Sequence, residues 1–309
     1  GGSIVLITLG CIFPPDTFLF KQGTKFSVQI MFMLLFLGMA LLVLKKERLM
    51  FVALGASGLL AFNLKGFSDQ TLRFPNINEN PNLSVAHISL SHDPETLLHA
   101  IRTHDVDVIS FHLFDPFWDG LLQDELRAQY PFRVINKQLT DNGSAIFSKY
   151  PICTEDTITV NGFDDIQMLH AQILMDEGAT VNVVSTHSFP VVNDAAYEEI
   201  HQYFEEVGFL VQSLDGPVIT LGDFSLPPWS EEIRFLKQTG RLLDSRRDIF
   251  QQKTADRMFL FNIPIEHIFH TNEIECTAFK VINEEDSPIG ITGNYQFKKF
   301  TAFNAIEGD

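Results

Sequence analysis

Two hydrophobic patterns divide the chain. Phe26 to Leu44 (FSVQIMFMLLFLGMALLVL) contains no charge, and Leu49 to Leu64 forms a second uncharged run. Neither carries the polar face of a helix packed on a soluble core. At about 1.5 Å per residue the first run matches the ~30 Å hydrocarbon core of a bilayer. Only Lys45, Lys46, Glu47 and Arg48 lie between them, which predicts a transmembrane hairpin with a basic turn. Ser3 to Phe13 is also apolar and ends at Pro14 and Pro15. The chain starts at Gly1, and this run reads as the second half of a first helix in a processed or incomplete chain.

Residues 67–82 (FSDQTLRFPNINENPN) are polar and rich in Asn, and read as a linker. Beyond them the pattern changes. Short β-rich runs at 83–90, 106–113, 132–136, 143–148, 168–174, 180–186, 217–222, 265–270 and 277–282 interleave with helical patterns at 94–104, 117–129, 194–214 and 230–239. This alternation predicts an α/β domain, a four-layer sandwich of two packed mixed sheets flanked by helices. The expected organisation is a helical anchor over 1–66 (helices near 3–13, 26–44 and 49–64), a linker over 67–82 and a folded domain over 83–309.

Charge sharpens this division. Residues 1–66 hold six Lys and Arg against Asp16 and Glu47, a balance of +4 in a chain of net charge −17. The basic turn favours the cytoplasmic side of a membrane. The domain after the second helix is then extracytoplasmic, on a multi-pass protein of the inner membrane. An acidic domain also argues against a nucleic-acid partner, because that affinity rests largely on Lys and Arg replacing counterions along phosphates. Cys11, Cys153 and Cys276 form no CxxC spacing, so no zinc or redox motif is expected. Cys153 and Cys276 are either a pair in an oxidising compartment or two free buried thiols.

Five segments then carry a family resemblance, in order. They are Pro94 to Leu113 (PETLLHAIRTHDVDVISFHL), Gly143 to Ile152 (GSAIFSKYPI), Val183 to Pro190 (VVSTHSFP), Ile219 to Ser230 (ITLGDFSLPPWS) and Ile263 to His270 (IPIEHIFH). Together they resemble the endonuclease/exonuclease/phosphatase superfamily, most of all its membrane-anchored bacterial branch. The resemblance implies a metal-dependent phosphoesterase fold. A hard divalent cation, usually Mg²⁺, is held there by carboxylate and amide oxygens, and a histidine with aspartates positions water for in-line attack on phosphorus.

The departures from the family pattern are informative. Leu113 stands where the resemblance implies a metal-binding glutamate, and follows His112 in place of glutamine. Leucine cannot ligate a metal. Asp115, two residues on, either substitutes for the glutamate or is a solvated loop carboxylate. Ser89 falls near an expected asparagine. Asp223 is kept, but Ser225 replaces the asparagine of the GDFN motif, and Glu266 replaces an aspartate that orients a histidine. The family's final S-D-H is expected at 293–295, where the chain has Gly293, Asn294 and Tyr295. His187 is kept, and either lines the old cleft or is a hydrogen-bonded core residue. His267, His87, His112 and His170 read as structural, and Trp229 as a packing residue.

The first functional reading is therefore a pseudoenzyme, with no catalytic residue set intact, no cofactor and no metal. It would be a binding or accessory subunit, with other membrane-protein subunits as partners. Leu113, His187, Asp223, Ser225, Glu266, Asn294 and Tyr295 would form a vestigial cleft. Leu113 and Tyr295 would fill it, and Asp223 would be held by backbone N–H groups or by the Ser225 or Tyr295 hydroxyl. The alternatives are an active phosphoesterase on a lipid-linked or nucleotide phosphate, with Mg²⁺ at Asp115 and Asp223, and an envelope sensor of lipid headgroups.

Overall fold

The computed structural model describes residues 1–67, 77–136, 143–159, 167–246, 263–284 and 287–299. Most of the expected linker lies outside the described residues. The N-terminal part forms α1 (Gly2–Ile12), α2 (Phe18–Thr24), α3 (Ser27–Val43) and α4 (Glu47–Lys65). Helices α3 and α4 pack as a hairpin that turns at Lys45, whose φ is 54°. They approach closely at Gly38, where an added Cβ would lie 2.5 Å from Leu54. Small residues serve this purpose in apolar helix pairs. Outward, Met33, Phe36, Val43, Phe51 and Phe62 are exposed.

By length and composition, Glu47–Lys65 is apolar enough to cross a membrane on its own. Ser27–Val43 meets that test only together with Phe18–Thr24, from which it bends by 64°, and Gly2–Ile12 is shorter still. The three expected spans thus reduce to one, or to two if the bent pair is one broken span. The seven-residue α2 was not expected. It is set off from α3 by the 64° bend, beside which the Trp229 indole N–H donates to the Thr24 carbonyl at 3.0 Å.

The body forms two six-stranded sheets. The first has the order β11-β12-β1-β2-β4-β3, built from β1 (Asn82–Ser89), β2 (Val108–His112), β3 (Phe132–Ile135), β4 (Ser144–Ser148), β11 (Ile274–Glu284) and β12 (Ser287–Phe297). The second has the order β5-β6-β7-β8-β10-β9, from β5 (Ile152–Thr159), β6 (Gln167–Leu174), β7 (Thr180–Ser185), β8 (Val218–Asp223), β9 (Leu243–Asp244) and β10 (Glu266–His270). Helices α5 (Pro94–His104) and α6 (Pro116–Leu126) cover the first sheet through Leu97, Ile101, Trp118 and Leu122. Helices α7 (Asp194–Ser213) and α8 (Glu231–Gly240) cover the second through Ile200, Tyr203, Ile233 and Leu236. This is the four-layer α/β sandwich.

Strand β1 runs parallel to β2, and β7 parallel to β8. Each pair is joined by a helical crossover, so all four strands end on one side. The next helices begin there, capped by Asp93, Asp115, Asn193 and Ser230. Such caps satisfy N–H groups at a helix start that have no partner within the helix. The inner faces alternate with period two. Leu83, Val85, Val108, Val181, Val183, Ile219, Leu221 and Ile268 fill the space between the sheets. Further along the same faces come His87, Ser89, Ser110, His112, Ser185, Asp223 and, at the start of the antiparallel β10, Glu266. An apolar core therefore turns polar over the last pleats.

Candidate functional site

The polar end of the sandwich is knitted across both sheets. Ser110 and Ser185 share a hydrogen bond of 2.6 Å between the sheets, and His87 Nδ1 lies 3.2 Å from Ser110 Oγ. Beside them stand three stacked imidazoles. The centroids of His87 and His112 are 6.4 Å apart at 24°, and those of His112 and His187 are 4.5 Å apart at 29°. His87 Nε2 and both ring nitrogens of His112 and His187 are buried without a protein hydrogen-bond partner. Burial disfavours the charged ring. It pushes His87 down to about 3, with help from the neighbouring His112 and His187. His112 falls to about 4 by burial, and His187 to about 3 by burial and the His112 charge. All three are neutral imidazoles near pH 7. Nearly parallel rings direct their in-plane lone pairs along separate planes, so the nitrogens do not converge on one point.

Two carboxylates complete this end. Glu266 pairs in register with Asp223 across β10 and β8. Burial and the Asp223 charge raise Glu266 to about 7, and the nearby Arg246 opposes the shift. Arg246 Nη2 donates to the Glu266 carbonyl at 3.2 Å. Burial also raises Asp223, while its hydrogen bond from Ser225 pulls the other way. Asp223 Oδ1 accepts the Ser225 N–H at 2.7 Å, and Ser225 sits at φ 55° with its hydroxyl donating to the Ser188 carbonyl at 3.3 Å. The glycine of the GD pair has a steric cause. An added Cβ at Gly222 would lie 1.6 Å from the Thr186 carbonyl oxygen, because the loop after β7 crosses directly over β8.

The structure thus brings together His187, Asp223, Ser225 and Glu266 of the expected cleft. It separates Asn294 and Tyr295 from them. Strand β12 is antiparallel to β1, with Ile88 opposite Gly290 and Leu83 opposite Tyr295. A strand running this way meets the polar end with its first residues. Tyr295 lies five residues further, about 17 Å at ~3.3 Å per residue. Its hydroxyl donates to Ser245 at 2.6 Å and not to Asp223, and Asn294 is exposed on the outer face. Glu285 and Asp286, just ahead of β12, lie outside the described residues.

Leu113 does not fill the cleft either. It follows β2 in a left-handed turn, φ 59°, and packs on the outer cluster beneath α5 and α6. Asp115 is the cap of α6, accepting the Trp118 N–H at 2.9 Å, and not a free loop carboxylate. His267 and His170 are structural, bound to the Leu226 carbonyl and to Asn182 at 2.8 and 2.9 Å. Cys153 is exposed and Cys276 buried, and both are free thiols, so they neither pair nor share one environment. His87 and His112, expected to be structural, stand beside His187 at the polar end. The signal was available: Leu83, Val85, His87 and Val108, Ser110, His112 each share a face.

The N-terminal helices dock on the same end. Gln22 donates to the Val191 carbonyl at 2.9 Å, the Phe18 N–H meets Asp194, and Trp229 reaches Thr24. These partners belong to the loops after β7 and β8 and to the start of α7. Trp229 is therefore a packing residue that joins the body to α2.

A family model described as the Endonuclease/Exonuclease/phosphatase family matches residues 60–288. No curated protein matches the sequence. Among solved structures, the chain is similar to an endonuclease/exonuclease/phosphatase from Bacteroides vulgatus, 12% identical with a TM-score of 0.61, covering 71% of this chain and 100% of that one. It is similar to a Beutenbergia cavernae endonuclease/exonuclease/phosphatase at 14% identity and TM-score 0.57, covering 70% and 72%. It is also similar to the human Nocturnin catalytic domain, determined with bound sulfate, at 12% identity and TM-score 0.55, covering 74% and 100%. At these identities the likeness is one of fold. With the family model covering most of its length, the chain belongs to the endonuclease/exonuclease/phosphatase family.

Proposed function

We propose that this chain is a membrane-anchored member of the family whose hydrolytic site has become a binding cleft, acting as an accessory subunit of a membrane assembly with its body outside the cytoplasm. The donor set at the polar end carries this reading. A hard divalent cation takes near-octahedral oxygen ligation. The described residues offer it Asp223, with one oxygen committed to Ser225, and Glu266, beside the Arg246 guanidinium. The other groups are neutral imidazoles stacked in parallel. This set does not fit Mg²⁺. Five buried ring nitrogens without protein partners keep hydrogen-bonding capacity, as a ligand-binding or partner-binding cleft requires.

The anchor reading is supported by the exposed apolar residues of α3 and α4 and by the length of Glu47–Lys65. One observation favours a phosphoesterase instead: Asp223 and Glu266 are in-register carboxylates at the end where the family's strands converge. Calorimetric titration of the full chain in detergent with Mg²⁺ and Mn²⁺, alongside a generic phosphodiester assay, separates the two. The pseudoenzyme reading expects neither saturable binding nor turnover. Metal-dependent turnover that disappears in Asp223→Ala would sink it.

A further inference from the structure

A second polar site lies away from the cleft residues, where the helical part meets the body. A cavity of about 410 Å³ opens between Ile12 at the end of α1, Ser27 at the start of α3, Leu64 near the end of α4, and Trp229 and Arg234 of the body. Three apolar helices therefore reach the same level around one space. If α3 and α4 cross a bilayer, that level is where hydrocarbon gives way to headgroups. Trp229 and Tyr197 line it, and these are the aromatic types enriched at membrane–water interfaces.

Its charges are mixed, and among the described residues they leave one lining cation outside any ion pair. Lys21, Lys25 and Arg234 line the cavity with Glu231 and Glu232. Lys21 reaches Glu232 at 3.5 Å, and Arg234 reaches Glu231 at 3.7 Å. Lys25 has no ion-pair partner among the described residues, yet it is partly buried against the apolar helix ends. Asp16, outside the lining, also holds Lys21 at 2.8 Å, and Glu232 favours the Lys25 charge from beyond ion-pair distance, so Lys25 is the lining cation left without an ion pair to meet a phosphodiester oxygen. Charge-assisted hydrogen bonds from ammonium and guanidinium groups to phosphate oxygens are strong in such partly buried settings. The apolar wall of Ile12 and Leu64 suits the glycerol and upper acyl carbons below a headgroup.

We propose that this cavity binds the phosphodiester headgroup of one phospholipid, with Lys25 as the principal phosphate contact. The bound lipid bridges the anchor helices to α8 and fixes the polar end of the sandwich against the bilayer surface. The proposal rests on the anchor reading, and its test separates the two.

The full chain is reconstituted into vesicles of phosphatidylcholine and phosphatidylglycerol, extracted in mild detergent and weighed by native mass spectrometry. The wild type should retain one phospholipid. Lys25→Gln should lower that retention by about tenfold, close to 1.4 kcal/mol, whereas Lys25→Arg and Lys46→Gln, the latter at the far end of the hairpin, should keep it. Equal retention in wild type and Lys25→Gln by a carbonate-resistant, inserted chain would overturn the headgroup site and leave the anchor intact. A chain stripped from vesicles by alkaline carbonate would refute the anchor and the site with it. Displacement of the lipid by inorganic phosphate alone would assign the cavity to free phosphate and likewise overturn the proposal.

Discussion

At the residue scale, the polar end of the sandwich holds groups whose protonation is coupled to folding in opposite senses. Glu266 is raised from 4.5 to about 7, first by burial and then by Asp223. A raised carboxylate contributes stability fully present below its unfolded value, and that contribution is lost as pH rises through the folded value. Glu266→Gln should therefore stabilise the protein at pH 8 by about 3 kcal/mol and have no effect below about pH 4.5. Urea unfolding of the full chain in detergent at both pH values tests this. His187 is lowered from 6.5 to about 3. Its contribution is present above pH 6.5 and is lost as pH falls toward 3, because the unfolded ring gains a proton that the buried ring refuses. His187→Gln should make the pH dependence of unfolding shallower across that window, by up to about 1.4 kcal/mol per pH unit. An unchanged slope would mean that His187 already has solvent or a ligand on its ring. Between about pH 4.5 and 6.5 Glu266 opposes His187, with which His87 and His112 act in concert, so Glu266→Gln should steepen the wild-type pH dependence where His187→Gln flattens it.

At the element scale, the crossovers decide what gathers. Asp115 illustrates how an element explains a residue that a motif alone misassigns. Its place two residues beyond Leu113 invites a metal-ligand reading, but the Asp-Pro pair at 115 and 116 is a helix start. Asp115→Ala should cost about 1 kcal/mol and leave any cation affinity unchanged, readable as a lower thermal midpoint beside an unaltered calorimetric titration. The sequence made most of the elements legible: the parallel strands, their crossover helices and the GDFS turn follow from periodicity and capping. It hid β5, β9 and β12. Strand β5 is mostly exposed, with Glu155 and Asp156 in its middle, so no apolar alternation marks it. Strand β9 has two residues. Strand β12 contains Gly290, Gly293 and Asn294, which weaken a strand pattern. The error in placing Asn294 and Tyr295 came from strand direction, which no local pattern reports. Tyr295→His would therefore place an imidazole in the inter-sheet core next to Ser245, far from Asp223, and would not rebuild a base.

At the scale of the whole molecule, the basic turn and the body sit at opposite ends of the α3–α4 hairpin. The end of α1, the start of α3 and the end of α4 all meet the body around Trp229, and Lys45, Lys46 and Arg48 occupy the far turn. If the hairpin crosses a bilayer, turn and body must lie in different compartments, whichever way the chain inserts. The turn is short, so its three cations count fully toward the cytoplasmic side. On the body side, Lys21 is paired with Asp16 and Glu232 at 2.8 and 3.5 Å, and the acidic body is repelled by the anionic lipids of a cytoplasmic leaflet. Both arguments favour the proposed orientation, with the body outside. Reporter fusions at Glu47 and after Asp309 should therefore read opposite compartments, with the C-terminal fusion extracytoplasmic. A C-terminal fusion active in the cytoplasm would reverse the orientation. Two fusions reporting the same compartment would remove the hairpin as a membrane-crossing unit, and α4 would then be the one helix left long and apolar enough to cross alone.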